Sequence, residues 1–468
     1  MNAVLAMLLG IALLLFLIIR TRIQAFPALI LSATAVALAS GLGAAKTVSV
    51  VSSGFGNTLT YIGIVIGFGC ILGKFLEKSG AARRMALFFL HLAGIKRADI
   101  VLGLTGFLVS IPVFADSGFI ILVSLAKEMS RLTRRSMLTI GCTMGFGLYL
   151  TTNLVPPTPG PLAAAAAFGV DLGMFILGGI LLAIPIFIVS IFFFRWVAKF
   201  HAPIIPERSE EELSQLSPEQ REVLARITQK IDRNEDLERA DFGDLLKDDS
   251  LPGTFISFAA VLLPIVLILG NTIVTAMKIE GPLREFFTLM GSPMIAIFMA
   301  VLLCVYIISK SMTKEEALKV MEDALADAGL IVFVTGAGGA FGNVIKTTGA
   351  GPMLAEYIAA TPLPAIMVPF LVAVFLRFPQ GSGATSIITG SAIVAPMVGS
   401  LGVDPLMAGL AICTGAMCPS YLNDSFFWVL TRFSGFSVNL SLKTWSVGTI
   451  VMPVSGFIFL LIANTILF

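Results

Sequence analysis

The chain has 468 residues, of which 57% are hydrophobic and 13% charged, and a formal net charge of +2. Its mean hydropathy of +0.95 excludes a soluble globular protein and indicates an all-α polytopic membrane protein. The small net charge conceals an asymmetry: Glu207 to Asp249 carries 14 acidic and 7 basic residues, leaving the remainder about nine charges positive.

Allowing about 20 residues per span, the first part of the chain predicts helices near 3–19, 24–43 and 57–76, followed by a basic amphipathic stretch from Leu76 to Arg97. Arg20 and Arg22 come after the first apolar run rather than before it, which is the pattern of a retained first helix and not of a secretory signal. The next apolar run, Ile100 to Ala126, contains Pro112, Asp116 and Gly118. A single crossing there would place Lys127, Arg131, Arg134 and Arg135 opposite Lys74, Lys78, Arg83, Arg84, Lys96 and Arg97, against the positive-inside bias. A re-entrant hairpin over about 98–130, with its tip at Phe114 to Gly118, keeps both clusters on one side. Its first leg, about 14 residues at about 1.5 Å each, is too short for a full crossing.

Asn153-Leu154-Val155-Pro156-Pro157-Thr158-Pro159-Gly160-Pro161 then interrupts the apolar run 136–169. Four prolines in six positions cannot be helix interior. In hydrocarbon, such a break is tolerated only where it is buried in protein or lines a wet cavity. After a return helix near 174–194, residues 201–250 read as a cytoplasmic hydrophilic linker.

The second half repeats the first. Gly67, Gly69, Gly73, Gly80 and Ala81 correspond to Gly336, Gly338, Gly342, Gly349 and Ala350 at a constant offset, although small residues at this spacing are commonly only packing surfaces. The tip Ala115-Asp116-Ser117-Gly118 has a counterpart in Gly381-Ser382-Gly383-Ala384, and Thr152-Asn153 in Leu422-Asn423-Asp424. Repeat one is 1–200 and repeat two 251–468, the latter with spans near 254–275, 290–309 and 326–346, a hairpin over about 363–403 and a broken helix over about 404–435. Five crossings in the first half invert the second. Two inverted-topology repeats, each with a re-entrant hairpin and a broken helix meeting at the bilayer midplane, are an architecture of secondary transporters.

Each interruption precedes a helix start with cap-type residues: Asp116 and Ser117, Thr158, then Ser382 with Thr385 and Ser386, and Asn423 with Asp424. Four helix N-termini aimed at one region favour an anion. Arg377 can clamp a carboxylate there, or can form a structural pair with Asp116 or Asp424, or snorkel to an interface. Asp116 and Asp424 are the acids placed near the midplane. A dry site disfavours the charged form of an isolated carboxylate, so either can carry a coupling proton, and both also suit helix capping. Asn153, Thr158, Asn423, Ser117, Ser382 and Thr385 are candidate partners for substrate hydroxyls or, with freed carbonyls, for a sodium ion.

Five single cysteines without Cys/His clusters indicate neither disulfides nor a metal centre. No HExxH, Ser/His constellation or Walker-type G-x-x-x-x-G-K-[ST] run is present, so neither an intramembrane enzyme nor an ATP-driven pump is indicated, and no cofactor or nucleic-acid partner.

Gly54-Phe55-Gly56-Asn57-Thr58-Leu59, Phe114-Ala115-Asp116-Ser117-Gly118-Phe119, Val155-Pro156-Pro157-Thr158-Pro159-Gly160-Pro161, Arg377-Phe378-Pro379-Gln380-Gly381-Ser382 and Asn423-Asp424-Ser425-Phe426-Phe427-Trp428 carry a resemblance to the gluconate permease family of bacterial organic-anion symporters, within the ion transporter superfamily. The resemblance implies uptake of gluconate or a related hydroxy acid with protons across the inner membrane, and a homodimer. The chain departs from the family at two histidine positions, which here read Thr151-Thr152-Asn153 and Tyr421, and in an extra glycine in Gly381-Ser382-Gly383-Ala384-Thr385. These departures bear on the substrate and on whether protons or sodium are coupled.

Overall fold

A computed structural model of the chain describes residues 3–207 and 251–467, apart from 22, 83, 86–87, 89–96, 309–311, 351–363 and 423, and only 226 and 229–230 between these two blocks. Most of the expected 76–97 amphipathic stretch and of the 201–250 linker therefore lies outside the described residues.

The first half runs α1 (Ala3–Arg20), α2 (Ala25–Ala39), α3 (Ala44–Lys78), a hairpin of α4 (Ala98–Val109) and α5 (Ala115–Thr133), a broken helix of α6 (Met137–Leu154) and α7 (Pro159–Phe168), and α8 (Leu172–Ala198). The second half gives α9 (Thr254–Ala276), the pair α10 (Pro282–Met290) and α11 (Pro293–Tyr306), and α12 (Lys314–Thr348). It ends with a hairpin of α13 (Met367–Gln380) and α14 (Gly383–Val394), a broken helix of α15 (Pro405–Gly415) and α16 (Ser425–Phe433), and α17 (Val447–Leu467). By length and composition five helices among the described residues can cross a membrane, or seven if each bent pair, in α3 and α10–α11, is one span. The other three expected crossings, α1, α2 and α15–α16, are not among these.

Three boundaries differ from expectation for identifiable reasons. The span expected over 24–43 stops at Ala39, because Gly41 takes a left-handed φ of 88°. The one expected over 57–76 begins at Ala44: Ser52, Ser53, Thr58 and Thr60 donate their hydroxyls to carbonyls three or four residues back, so polar residues that read as non-helical are satisfied within the helix. The one expected over 326–346 begins at Lys314, where Thr313 and Glu316 form a capping box.

The two 35-residue helices, α3 and α12, form the long antiparallel axis. Glycines set how closely other elements approach it. A Cβ on Gly54 would lie 2.8 Å from Gly339 O, and one on Gly339 would lie 1.9 Å from Thr58 Oγ1, so the two backbones cross nearly in contact. The repeat-related Gly73 and Gly342 do the same for the hairpins, since their Cβ atoms would meet Pro112 O at 2.2 Å and Ala392 O at 2.9 Å. The matched glycine strings are thus packing surfaces, one per hairpin.

The basic end is held by Asp99, fully buried, which accepts from Arg135 Nη1 at 3.0 Å and Arg195 Nε at 2.6 Å. This ties the start of α4 to the start of α6 and the end of α8, as the hairpin reading requires. At the opposite end, Asn343 of α12 donates to Val50 O of α3 at 2.9 Å, and Thr272 of α9 to Asp171 at 2.7 Å. The five cysteines are buried and free.

Candidate functional site

Both hairpin tips and both helix breaks are built by local chemistry. Pro112 ends α4, and the Ser110 hydroxyl closes the turn by donating to Val113 O at 2.8 Å. Helix α5 therefore restarts at Ala115 with Phe114 as its N-cap, at the first residues of the expected tip. Asp116 and Ser117 are consequently first-turn residues and not caps. At the second tip, α13 continues through Pro379 to Gln380, and Gly381 at φ 69° makes the turn that no Cβ-bearing residue would favour. Ser382 caps α14 as expected, accepting from Thr385 N at 3.3 Å. Asp424 caps α16, accepting from Phe426 N at 3.1 Å. Thr158 sits at the N-cap position of α7, but its hydroxyl donates to Val155 O at 2.7 Å and caps nothing.

Three of the four N-termini, those of α5, α14 and α16, converge with the end of α6 on a cavity of about 200 Å³. Its polar lining comprises Asp116, Tyr149, Thr152, Asn153, Arg377, Ser382, Thr385, Asp424 and Ser425. The start of α7 is not in that lining. It packs on α14 instead, where Gly160 leaves room for Ala384 and Ile387, and Thr158 is set apart with it. Asn423 and the side chain of Ser117 lie outside the described residues. The structure thus brings together Arg377, Ser382, Thr385, Asn153, Asp116 and Asp424.

Arg377 is fully buried. One amino group, Nη2, donates to Asp424 Oδ2 and to the Tyr149 hydroxyl at 3.0 Å. Its Nε and Nη1 have no hydrogen-bond partner. A buried guanidinium with two unpaired donors is costly unless something else accepts from them. Asp424 is held in turn by the Ser420 hydroxyl, which accepts from Trp445 Nε1 at 2.9 Å. Trp445 is fully buried, in the π-turn Leu442–Ser446 before α17. The Tyr149 hydroxyl donates onward to Met417 O at 2.9 Å, and its ring stacks on Phe426. Arg377 pairs with Asp424 through one amino group, and its Nε and Nη1 are left without hydrogen-bond partners.

Asp116 is differently placed. Its Oδ2 accepts from the Ser425 hydroxyl at 2.9 Å, while Oδ1 is buried without a partner. Asp424, by contrast, has all its bonds within the network just described.

At the family's histidine positions, Thr152 donates to Leu148 O at 2.9 Å and shares a 2.6 Å hydrogen bond with Ser110. Tyr421 donates to Phe378 O at 2.7 Å, outside the cavity lining. Asn153 uses its amide nitrogen on Tyr149 O at 2.7 Å, and a Cβ on Gly383 would lie 2.1 Å from its Oδ1. The extra glycine at the tip is therefore what makes room for Asn153. Sequence reasoning missed Tyr149, Ser420 and Trp445. Tyr149 stands one helical turn before Asn153, a signal that was present but mute without the contact to Arg377.

The GntP family permease model matches residues 2–466 of this chain. The chain belongs to the GntP permease family. An inner membrane permease of Escherichia coli K12, YgbN, is 33% identical, with 96% of this chain and 95% of the relative covered. A gluconate permease of Pseudomonas aeruginosa is 30% identical, with 97% and 96% covered. Among solved structures, the Alcanivorax borkumensis YdaH transporter superposes with a TM-score of 0.60 at 14% identity, covering 93% of this chain and 96% of that one, which is a likeness of fold alone. This GntP-family chain is accordingly a multi-pass protein of the bacterial inner membrane with transport as its role.

Proposed function

We infer that this GntP-family permease is a secondary active transporter that imports a small hydroxycarboxylate, gluconate or a related sugar acid, by symport with protons. The Lys/Arg-rich end faces the cytoplasm. The observation that carries the reading is the buried Arg377, with Nε and Nη1 unpartnered beside a cavity onto which three helix N-termini converge. A substrate carboxylate accepts a charge-assisted hydrogen bond from either free donor, and the helix N-termini add positive potential. Ser382, Thr385 and Asn153 offer hydrogen bonds to substrate hydroxyls, while the apolar wall from Leu330, Ile331 and Val334 faces the carbon chain. Asp116, with one free carboxylate oxygen, is the proton carrier, and Asp424 orients Arg377.

Uptake of labelled gluconate into proteoliposomes tests this under an imposed proton gradient and, separately, a sodium gradient, with other hydroxy acids as competitors. Accumulation with protons is expected, with the strongest competitor identifying the substrate. Accumulation driven by sodium alone would transfer the coupling to that ion. Absence of both accumulation and competition would reject sugar acids as the substrate class.

Tyr149→Phe removes an acceptor from Arg377 Nη2 while keeping the ring packing. A hydrogen bond to a charged group contributes about 1.5 kcal/mol, so gluconate affinity measured by calorimetry should fall roughly tenfold. Unchanged affinity would show that the tyrosine does not position the guanidinium.

A further inference from the structure

A cavity larger than the one around Arg377 lies elsewhere among the described residues. A space of about 500 Å³ opens between α3, α7, α12 and α14, nearer the end opposite the basic clusters. Much of its wall is glycine and alanine, which alone would signify only loose packing. Its polar residues distinguish it: Asn57, Thr58, Thr335, Asn343 and Lys346, with no carboxylate among them.

Thr335 is 2% exposed and its hydroxyl has no hydrogen-bond partner, although it lines the cavity. Buried hydroxyls are normally satisfied, so this one is available to a guest. Asn343 uses its amide nitrogen on Val50 O and Ser53 Oγ, which leaves its carbonyl oxygen to accept from a hydroxyl. Thr58 donates to Gly54 O and likewise retains acceptor capacity. Lys346, exposed near the end of α12, is the only charged side chain among the described lining residues. A lone cation among acceptors and hydroxyls suits an anion that carries hydroxyl groups.

The two cavities also adjoin. Ile388 stands in the wall of both, and the adjacent α12 residues Val334 and Thr335 line the central and the outer one respectively. We propose that the outer cavity is a second, weaker binding site for the transported hydroxycarboxylate, a station on the outward-facing route where Lys346 takes the carboxylate before Arg377 does. The proposal rests on the import reading above.

Gluconate titrations of the full-length protein in nanodiscs at low ionic strength test it. Wild type should show a tight and a weak class of sites. Lys346→Gln should lose the weak class and keep the tight one, while Lys346→Arg keeps both. Ala166→Leu, which fills the outer cavity without touching a charge, should also lose the weak class. In proteoliposomes Lys346→Gln should raise KM roughly tenfold at low salt with the maximal rate unchanged, and the difference should shrink at physiological salt, where the screening length is about 8 Å. A single class in wild type, or a weak class that survives Lys346→Gln or Ala166→Leu, overturns the outer site and leaves the central one standing. A tight class that survives Arg377→Ala overturns the import reading at its own site instead.

Discussion

Arg377→Ala is expected to abolish tight anion binding at the central cavity. The substitution removes the buried guanidinium whose Nε and Nη1 are unpartnered and leaves the cavity without its only positive side chain. It also strands Asp424, which is 5% exposed, as an uncompensated buried charge. Breaking such a pair costs about 3–5 kcal/mol of stability, so lost binding in this variant alone could reflect unfolding. The double variant Arg377→Ala/Asp424→Asn removes both charges and should recover much of the thermal stability. It should still lack the tight class of gluconate sites. Calorimetric titration alongside thermal unfolding separates the two effects. Gluconate affinity equal to wild type in either variant would eliminate the carboxylate clamp.

The second large effect is expected at Asp116. With one proton carried per monovalent anion, the cycle moves no net charge, so a one-unit pH gradient drives about tenfold accumulation whatever the membrane potential. Asp116→Asn keeps the shape of the side chain and its hydrogen bond with Ser425 but cannot take up and release a proton. Exchange of internal for external labelled gluconate should persist, while pH-driven accumulation falls from about tenfold to simple equilibration. The asymmetry between the two acids underlies this choice. Asp424 accepts from Arg377, Ser420 and Phe426 N, whereas Asp116 Oδ1 accepts from nothing. Undiminished pH-driven accumulation in Asp116→Asn would move the proton to another group, and Asp424→Asn would then be the next variant to measure.

The proline run from Pro156 to Pro161 was enough to place the first helix break, and the turn-forming residues near Pro112 and Gly381 fall where paired helices turn. These features act through local sterics, which do not depend on distant partners. The second break extends from Ala416 to Asp424, wider than its Leu422-Asn423-Asp424 signal, because Pro419 already lacks the donor that a continuing helix needs. Capping was less legible. Ser382 and Asp424 cap as their residue types suggest, but the turn closed by Ser110 moved the start of α5 and left Asp116 inside its first turn.

The sequence by itself determined the membrane class, the all-helical fold with its broken helices, and the candidacy of Arg377, Asp116 and Asp424, because periodicity, breaks and charge are properties of short segments. Only the tertiary structure decided which of these side chains meet. It set Thr158 apart with α7, joined Tyr149, Ser420 and Trp445 to the Arg377–Asp424 pair, and left two guanidinium donors and one Asp116 oxygen unpaired. Residues separated by up to about 300 positions become neighbours only when α6, α13 and α16 pack, and no local pattern encodes which donor is left over once they do.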